Sequence, residues 1–206
     1  DAALLGLDGT PNKSRLGANA LLAVSLAYAR ASALGRSEPL YAYFADMIGT
    51  KAATLPQPTI NLFSGGKHAG GQAPLQDILI VPVAARTIDA ALAMTFAVYQ
   101  AASELILGKY GMRTLRADEG GLAPPFGEPE AMLSDAVAAI ELAGLRPGVD
   151  VALAVDVASS HFYRDGVYQL GQAQPDSAGM IDQLSTWATR YPIVSIEDGL
   201  HEEDWP

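Results

Sequence analysis

Two short apolar runs, residues 151–155 (Val-Ala-Leu-Ala-Val) and 193–196 (Ile-Val-Ser-Ile), each end on a carboxylate, Asp156 and Glu197, with a helix-length segment between them. Strand–helix–strand alternation is the mark of a parallel α/β sheet. In such a sheet the carboxyl ends of the strands open into the mouth where ligands and metals are held. A third acidic stretch, Asp118-Glu119-Gly120-Gly121, also stands at the end of an apolar run. Acidic groups gathered at such a mouth point to an oxygen-ligand metal site, with Mg²⁺ as the fitting ion.

The rest of the chain extends this α/β reading. Residues 1–12 are rich in Gly, Pro and Asn and read as a turn. Residues 16–34 place Leu16, Ala20, Val24, Ala27 and Ala31 at near-helical spacing, with Ser14 as the cap and Gly35 as the stop. Residues 40–47 form a short aromatic helix in which Tyr41 and Tyr43 are packing residues. Pro56 and Pro58 disfavour helix and central strand, so residues 50–58 read as a linker. Two domains follow, 1–55 and 56–206, the first too short for a core of its own.

Beyond the linker, residues 59–63 and 77–83 are strands in direct succession. Helices at 87–107, 128–143 and 177–190 then alternate with the strands 151–155 and 193–196, and Asp165-Gly166 turns a small hairpin. This is the signature of an α/β barrel, with a doubly wound open sheet as the runner-up. The early strand pair departs from strict alternation.

Composition narrows the function. Among 206 residues the net charge is −10, which argues against a basic nucleic-acid groove. A phosphorylated ligand remains compatible, because a metal supplies positive field locally. With no Cys there is no disulfide framework, thiolate nucleophile or Cys-ligated zinc. No run reaches membrane-spanning length on this reading, and Asp1 opens the chain without a basic leader, so no membrane partner is expected and cytoplasm is the default.

Gly65-Gly66-Lys67-His68-Ala69-Gly70-Gly71 is a glycine-rich loop that matches neither a P-loop nor a dinucleotide fingerprint, yet brings backbone N–H groups close to a ligand. His68 lies within it, as either a ligand contact or a satisfied turn residue. Gln76-Asp77 opens the second strand, where the acid alone reads as a solvent-facing strand end. Asp118 and Glu119 read either as a solvated turn or as a site carboxylate kept protonated by neighbouring charge. Asp198 and Glu202-Glu203-Asp204 read as a solvated face.

Taken together, five stretches resemble the enolase family: residues 7–20 (from Leu7-Asp8-Gly9-Thr10), Gly65-Gly66-Lys67-His68-Ala69-Gly70, Asp118-Glu119-Gly120-Gly121-Leu122, Asp156-Val157-Ala158-Ser159-Ser160-His161-Phe162-Tyr163, and Tyr191-Pro192-Ile193-Val194-Ser195-Ile196-Glu197-Asp198. The resemblance implies a partial TIM-like barrel preceded by the helical end of a smaller α+β domain. It implies Mg²⁺-dependent dehydration of 2-phosphoglycerate to phosphoenolpyruvate by a homodimer in the cytoplasm, with a possible further surface or secreted pool.

Within that resemblance Glu119 and Asp77 are the catalytic carboxylates, with Glu119 as proton donor. His68, Gln76, Asp77, Glu119 and Glu197 meet the substrate, and Asp156 and Glu197 are two of three Mg²⁺ ligands. Asp77 stands where the family has Glu, so Asp77→Glu is expected to raise kcat at least about tenfold. The third metal-binding Asp and the catalytic Lys lie beyond Pro206 in the family pattern. The 206 residues alone are therefore expected to be inactive. The alternatives are a sister lyase acting on another acid, and a non-catalytic enolase-derived binding protein.

Overall fold

The computed structural model describes residues 1–51, 54–71, 73, 75–111 and 116–205, and for His68 the backbone alone. The chain divides into two compact units, Asp1–Pro56 and Gln57–Pro206.

The first unit is helical: α1 (Ala2–Asp8), α2 (Ala18–Gly35) and α3 (Leu40–Met47). The turn expected over residues 1–12 is instead α1 followed by a loop. Ala2-Ala3-Leu4-Leu5 has strong helix propensity, and the punctuating Gly9 comes only at the end, with φ 69° and its N–H on the Leu5 carbonyl. Asp8 is buried and organises the loop beyond it. It accepts from the Leu16 N–H at 2.7 Å, the Thr10 N–H at 3.1 Å and the Thr10 hydroxyl. Helix α2 is capped by Gly17 rather than Ser14, whose N–H is taken by the Thr10 hydroxyl. Ala29 and Ala33 of α2 pack on Tyr43 of α3, whereas Tyr41 is exposed.

The second unit holds a four-stranded sheet in the order β1 (Ile60–Ser64), β2 (Asp77–Val81), β3 (Ala152–Asp156), β6 (Ile193–Glu197). Strand β2 is antiparallel to both neighbours, and β3 is parallel to β6. The early strand pair therefore resolves as a hairpin-like start, after which the crossover through α6 (Ser177–Arg190) gives a parallel pair. A second small hairpin, β4 (Tyr163–Arg164) and β5 (Val167–Tyr168), turns at Asp165 and Gly166, both at positive φ.

Period-two alternation sorts the two faces of the sheet. Ile78, Ile80, Leu153 and Val155 enter the main core with α4 (Ile88–Tyr110) and α5 (Pro129–Leu142). Leu79, Val81, Ala152 and Ala154 form a separate small-residue cluster on the other face. Helix α4 starts where Thr87 accepts the Ala90 N–H at 3.2 Å. It is long and apolar enough to cross a membrane by length and composition, contrary to the sequence reading; its Ala91, Val98, Ala102 and Ile106 are buried. Buried Asp135 of α5 ties the end of α4 by accepting from Lys109 Nζ at 2.6 Å and Tyr110 Oη at 2.8 Å. Among the described residues the sheet is not closed: the outer edge of β6 carries no strand, and its Val194 and Ile196 are exposed.

Candidate functional site

One row of side chains crosses the end of the sheet. Ser64, the last residue of β1, pairs in register with Asp77, the first of β2. Asp77 pairs with Asp156, the last of β3, and Asp156 with Glu197, the last of β6. Register partners project from the same face, a few ångströms apart. The reversal of β2 makes this possible. Because it runs opposite to its neighbours, its starting residue shares an edge with the residues that end theirs.

The row is apolar below and acidic above. Asp156 sits over the Ala152–Ala154 cluster, and its carboxyl is pushed up from 3.8 to about 6. Burial is the main cause, followed by the charges of Glu197, Asp77 and Asp198; the Ala158 N–H, 3.1 Å from Asp156 Oδ1, opposes the rise. Three neighbouring acids thus make ionisation of the central one costly. The backbone beyond it is tightly turned, with Ala158 and Asp198 both at φ 47°.

Asp77 corrects the solvent-facing reading made from sequence. It is only 5% exposed, and its Oδ1 accepts from Ser64 Oγ at 2.7 Å and Asn61 Nδ2 at 2.6 Å. Gln76 beside it has a buried side-chain carbonyl oxygen without a hydrogen-bond partner among the described residues. Glu119 lies in an exposed turn over residues 118–120. That turn is held by the Ala117 N–H on the Gly121 carbonyl, the Gly120 N–H on the Ala117 carbonyl (both 2.9 Å), and Tyr99 Oη on the Gly120 carbonyl at 2.8 Å. Its exit docks on β1 through Ser64 N to the Leu122 carbonyl and Leu122 N to the Leu62 carbonyl.

The glycine-rich loop folds back on itself. The Gly65 N–H reaches the Gln76 carbonyl at 2.7 Å and the Gly71 N–H the Gly66 carbonyl at 2.6 Å. The His68 backbone forms part of a short 3₁₀ turn there, and its side chain lies outside the described residues. A cleft of about 460 Å³ beside the loop is lined by Lys67, His161, Phe162 and Gln169, among others.

Asp156 and Glu197 in adjacent register, with the Asp156 charge held at a cost, form a donor pair that suits a hard cation, which takes carboxylate oxygens and relieves like-charge repulsion. No group of three or more Asp, Glu or His side chains is placed to hold a metal ion among the described residues. Two residues missed from sequence, Asn61 and Ser64, join the site. Their only signal was polarity inside an otherwise apolar strand. Asp204, read as a solvated face, instead accepts from Tyr168 Oη at 2.6 Å and Ser177 Oγ at 2.5 Å, tying the segment after β6 to the hairpin and α6.

Two family matches cover the chain. Residues 1–44 match the enolase N-terminal domain, and residues 52–206 match the enolase C-terminal TIM barrel domain.

Proposed function

Because the chain belongs to the enolase family, we propose that the complete protein is a Mg²⁺-dependent lyase that dehydrates 2-phosphoglycerate to phosphoenolpyruvate. The in-register row Asp77–Asp156–Glu197 carries this reading. It collects acids in the place where an anionic substrate would otherwise be repelled, an arrangement that makes chemical sense with a cation between them.

Asp156 and Glu197 would hold Mg²⁺, which when bound offsets the charge that builds on the substrate carboxylate as its α-proton leaves. Glu119 donates a proton to the departing C3 hydroxyl, so that water is released as the C2–H electrons become the new double bond. Asp77, held on one oxygen by Ser64 and Asn61, would pair with Glu119 in this reading. Gln76 offers its unpartnered carbonyl oxygen to a substrate hydroxyl. His68 of the glycine-rich loop would meet the substrate, with Lys67 on the adjoining cleft wall favouring an anion. The base that takes the α-proton is assigned to the protein beyond residue 206. Family membership also supports a cytoplasmic homodimer.

The test is a coupled assay of phosphoenolpyruvate formation by the full-length protein, with and without Mg²⁺. Turnover no greater than that of an Asp156→Ala control would remove this reading and leave a sister lyase or a binding role.

A further inference from the structure

In a regular strand residues three apart face opposite sides of the sheet. Asn61 and Ser64 nonetheless meet on the same carboxylate oxygen. The cause is a bulge in β1: Asn61 pairs with Leu79 and Phe63 with Ile78, so Leu62 is an extra residue. Leu62 and Phe63 are both fully buried in the main core as a result. The strand gives up its alternation in order to bring two polar groups to one point.

Those groups form a three-way set of donors and acceptors, while the buried Asn61 Oδ1 has no partner among the described residues. Asn61 Nδ2 uses its two hydrogens on Asp77 Oδ1 and on Ser64 Oγ, at 3.0 Å in the second case, and the Ser64 hydroxyl spends its hydrogen on Asp77. Turning the amide over would set its oxygen against Asp77 Oδ1, so the Asp77 carboxyl dictates the orientation. The Glu119 loop then rests on this set through Gly121. A Cβ at Gly121 would overlap Ser64 Oγ and come within 2.7 Å of Asn61 Oδ1. The backbone bonds of Ser64 and Leu62 to Leu122 hold the loop in that seat.

We propose that Asn61 and Ser64 are positioning residues: they clamp Asp77 and, through the close seat of Gly121, set the place of the loop that carries Glu119. The clamp rests on the proposed dehydratase reading for its catalytic consequence, but not for its existence. It holds an aspartate where the family pattern has a longer acid. Two donors from β1 come forward on the bulge and fix the shorter side chain in place.

The test has two independent readouts on the full-length protein. In Mg²⁺ buffer, Ser64→Ala and Asn61→Ala are each expected to lower kcat on 2-phosphoglycerate by about 10- to 100-fold, the scale of an ångström-level misplacement, with KM changed by less than about threefold. Added to an Asp77→Ala protein, Ser64→Ala is expected to change kcat less than about twofold, because the two act as one unit. By hydrogen exchange, the amides of residues 117–122 are expected to exchange at least about tenfold faster in both single variants. Unchanged kcat, a change confined to KM, an additive double variant, or unchanged exchange overturns the proposal. Should Asp77→Ala not fold, the kcat–KM split and the exchange rates of the single variants decide. A wild-type protein that makes no phosphoenolpyruvate but whose variants loosen residues 117–122 removes the proposed function and keeps the clamp.

Discussion

Replacing Asp156 by Asn is expected to make the protein more stable and to abolish its response to Mg²⁺. Asp156 titrates near 6 when folded, against an ordinary 3.8. Its carboxylate is therefore harder to ionise in the fold than in the unfolded chain. Below about pH 3.8 the group is protonated in both states and costs nothing. As pH rises through about 6 the folded protein loses that advantage, and above it the penalty is complete. The distance from 3.8 to about 6 corresponds to about 3 kcal/mol. The side chain keeps some contact with water, and screening reduces this to about 1–2 kcal/mol.

Asp156→Asn removes the charge and leaves the shape. Its thermal midpoint in EDTA at pH 7.5 should exceed wild type by a few degrees, and the difference should vanish by about pH 4. Mg²⁺ should raise the wild-type midpoint and leave the variant unmoved. A variant less stable than wild type at pH 7.5, or a gain that persists at pH 4, would show that the acidic row does not strain the fold as argued.

Asp77→Glu is expected to lower kcat rather than raise it, because the extra methylene must enter a filled pocket where Ser64 and Asn61 already hold Asp77 Oδ1 at 2.7 and 2.6 Å; a tenfold gain in the phosphoenolpyruvate assay would restore the sequence-based expectation. Gly121→Ala should cost about 1–3 kcal/mol in unfolding experiments and lower kcat as well, since its Cβ overlaps the Ser64 hydroxyl; a neutral result would mean that the loop is not seated there. Tyr168→Phe should cost about 1–2 kcal/mol by removing the donor to Asp204 and the acceptor of the His201 N–H; an unchanged midpoint would count against that tie.

Some of this was written plainly in the chain. Apolar runs ending in Asp156 and Glu197 place those acids at strand ends, because burial stops where charge begins. The caps at Thr87 and the hairpin at Asp165-Gly166 are local chemistry and need no knowledge of distant residues. What sequence hid depends on pairing. Asp77 reads as a solvent-facing strand end until β2 is known to run backwards between two strands. Asn61 and Ser64 are unremarkable polar residues until an extra Leu62 turns them to one side. Asp204 sits in an acidic run that looks solvated, and only the return of Tyr168 and Ser177 gives it partners. Helix α1 was missed because the loop after it carries the turn residues.

The bulge at Leu62 has a genetic consequence. Substitution scanning across residues 60–64 perturbs one side chain at a time and leaves the pairing of β1 with β2 intact. Loss of the single codon for Leu62 is a different lesion. It restores strict alternation with Phe63 still opposite Ile78 and Asn61 still opposite Leu79, so Asn61 and Ser64, now two apart, stay on the face of Asp77 and only the extra core side chain is lost. A one-residue deletion within β2, which pairs with β3 with no residue to spare, would by contrast turn the residues on one side of it to the opposite face. In an indel library the bulge would emerge as a place in this strand pair where a codon can be lost without changing which side chains face the acidic row.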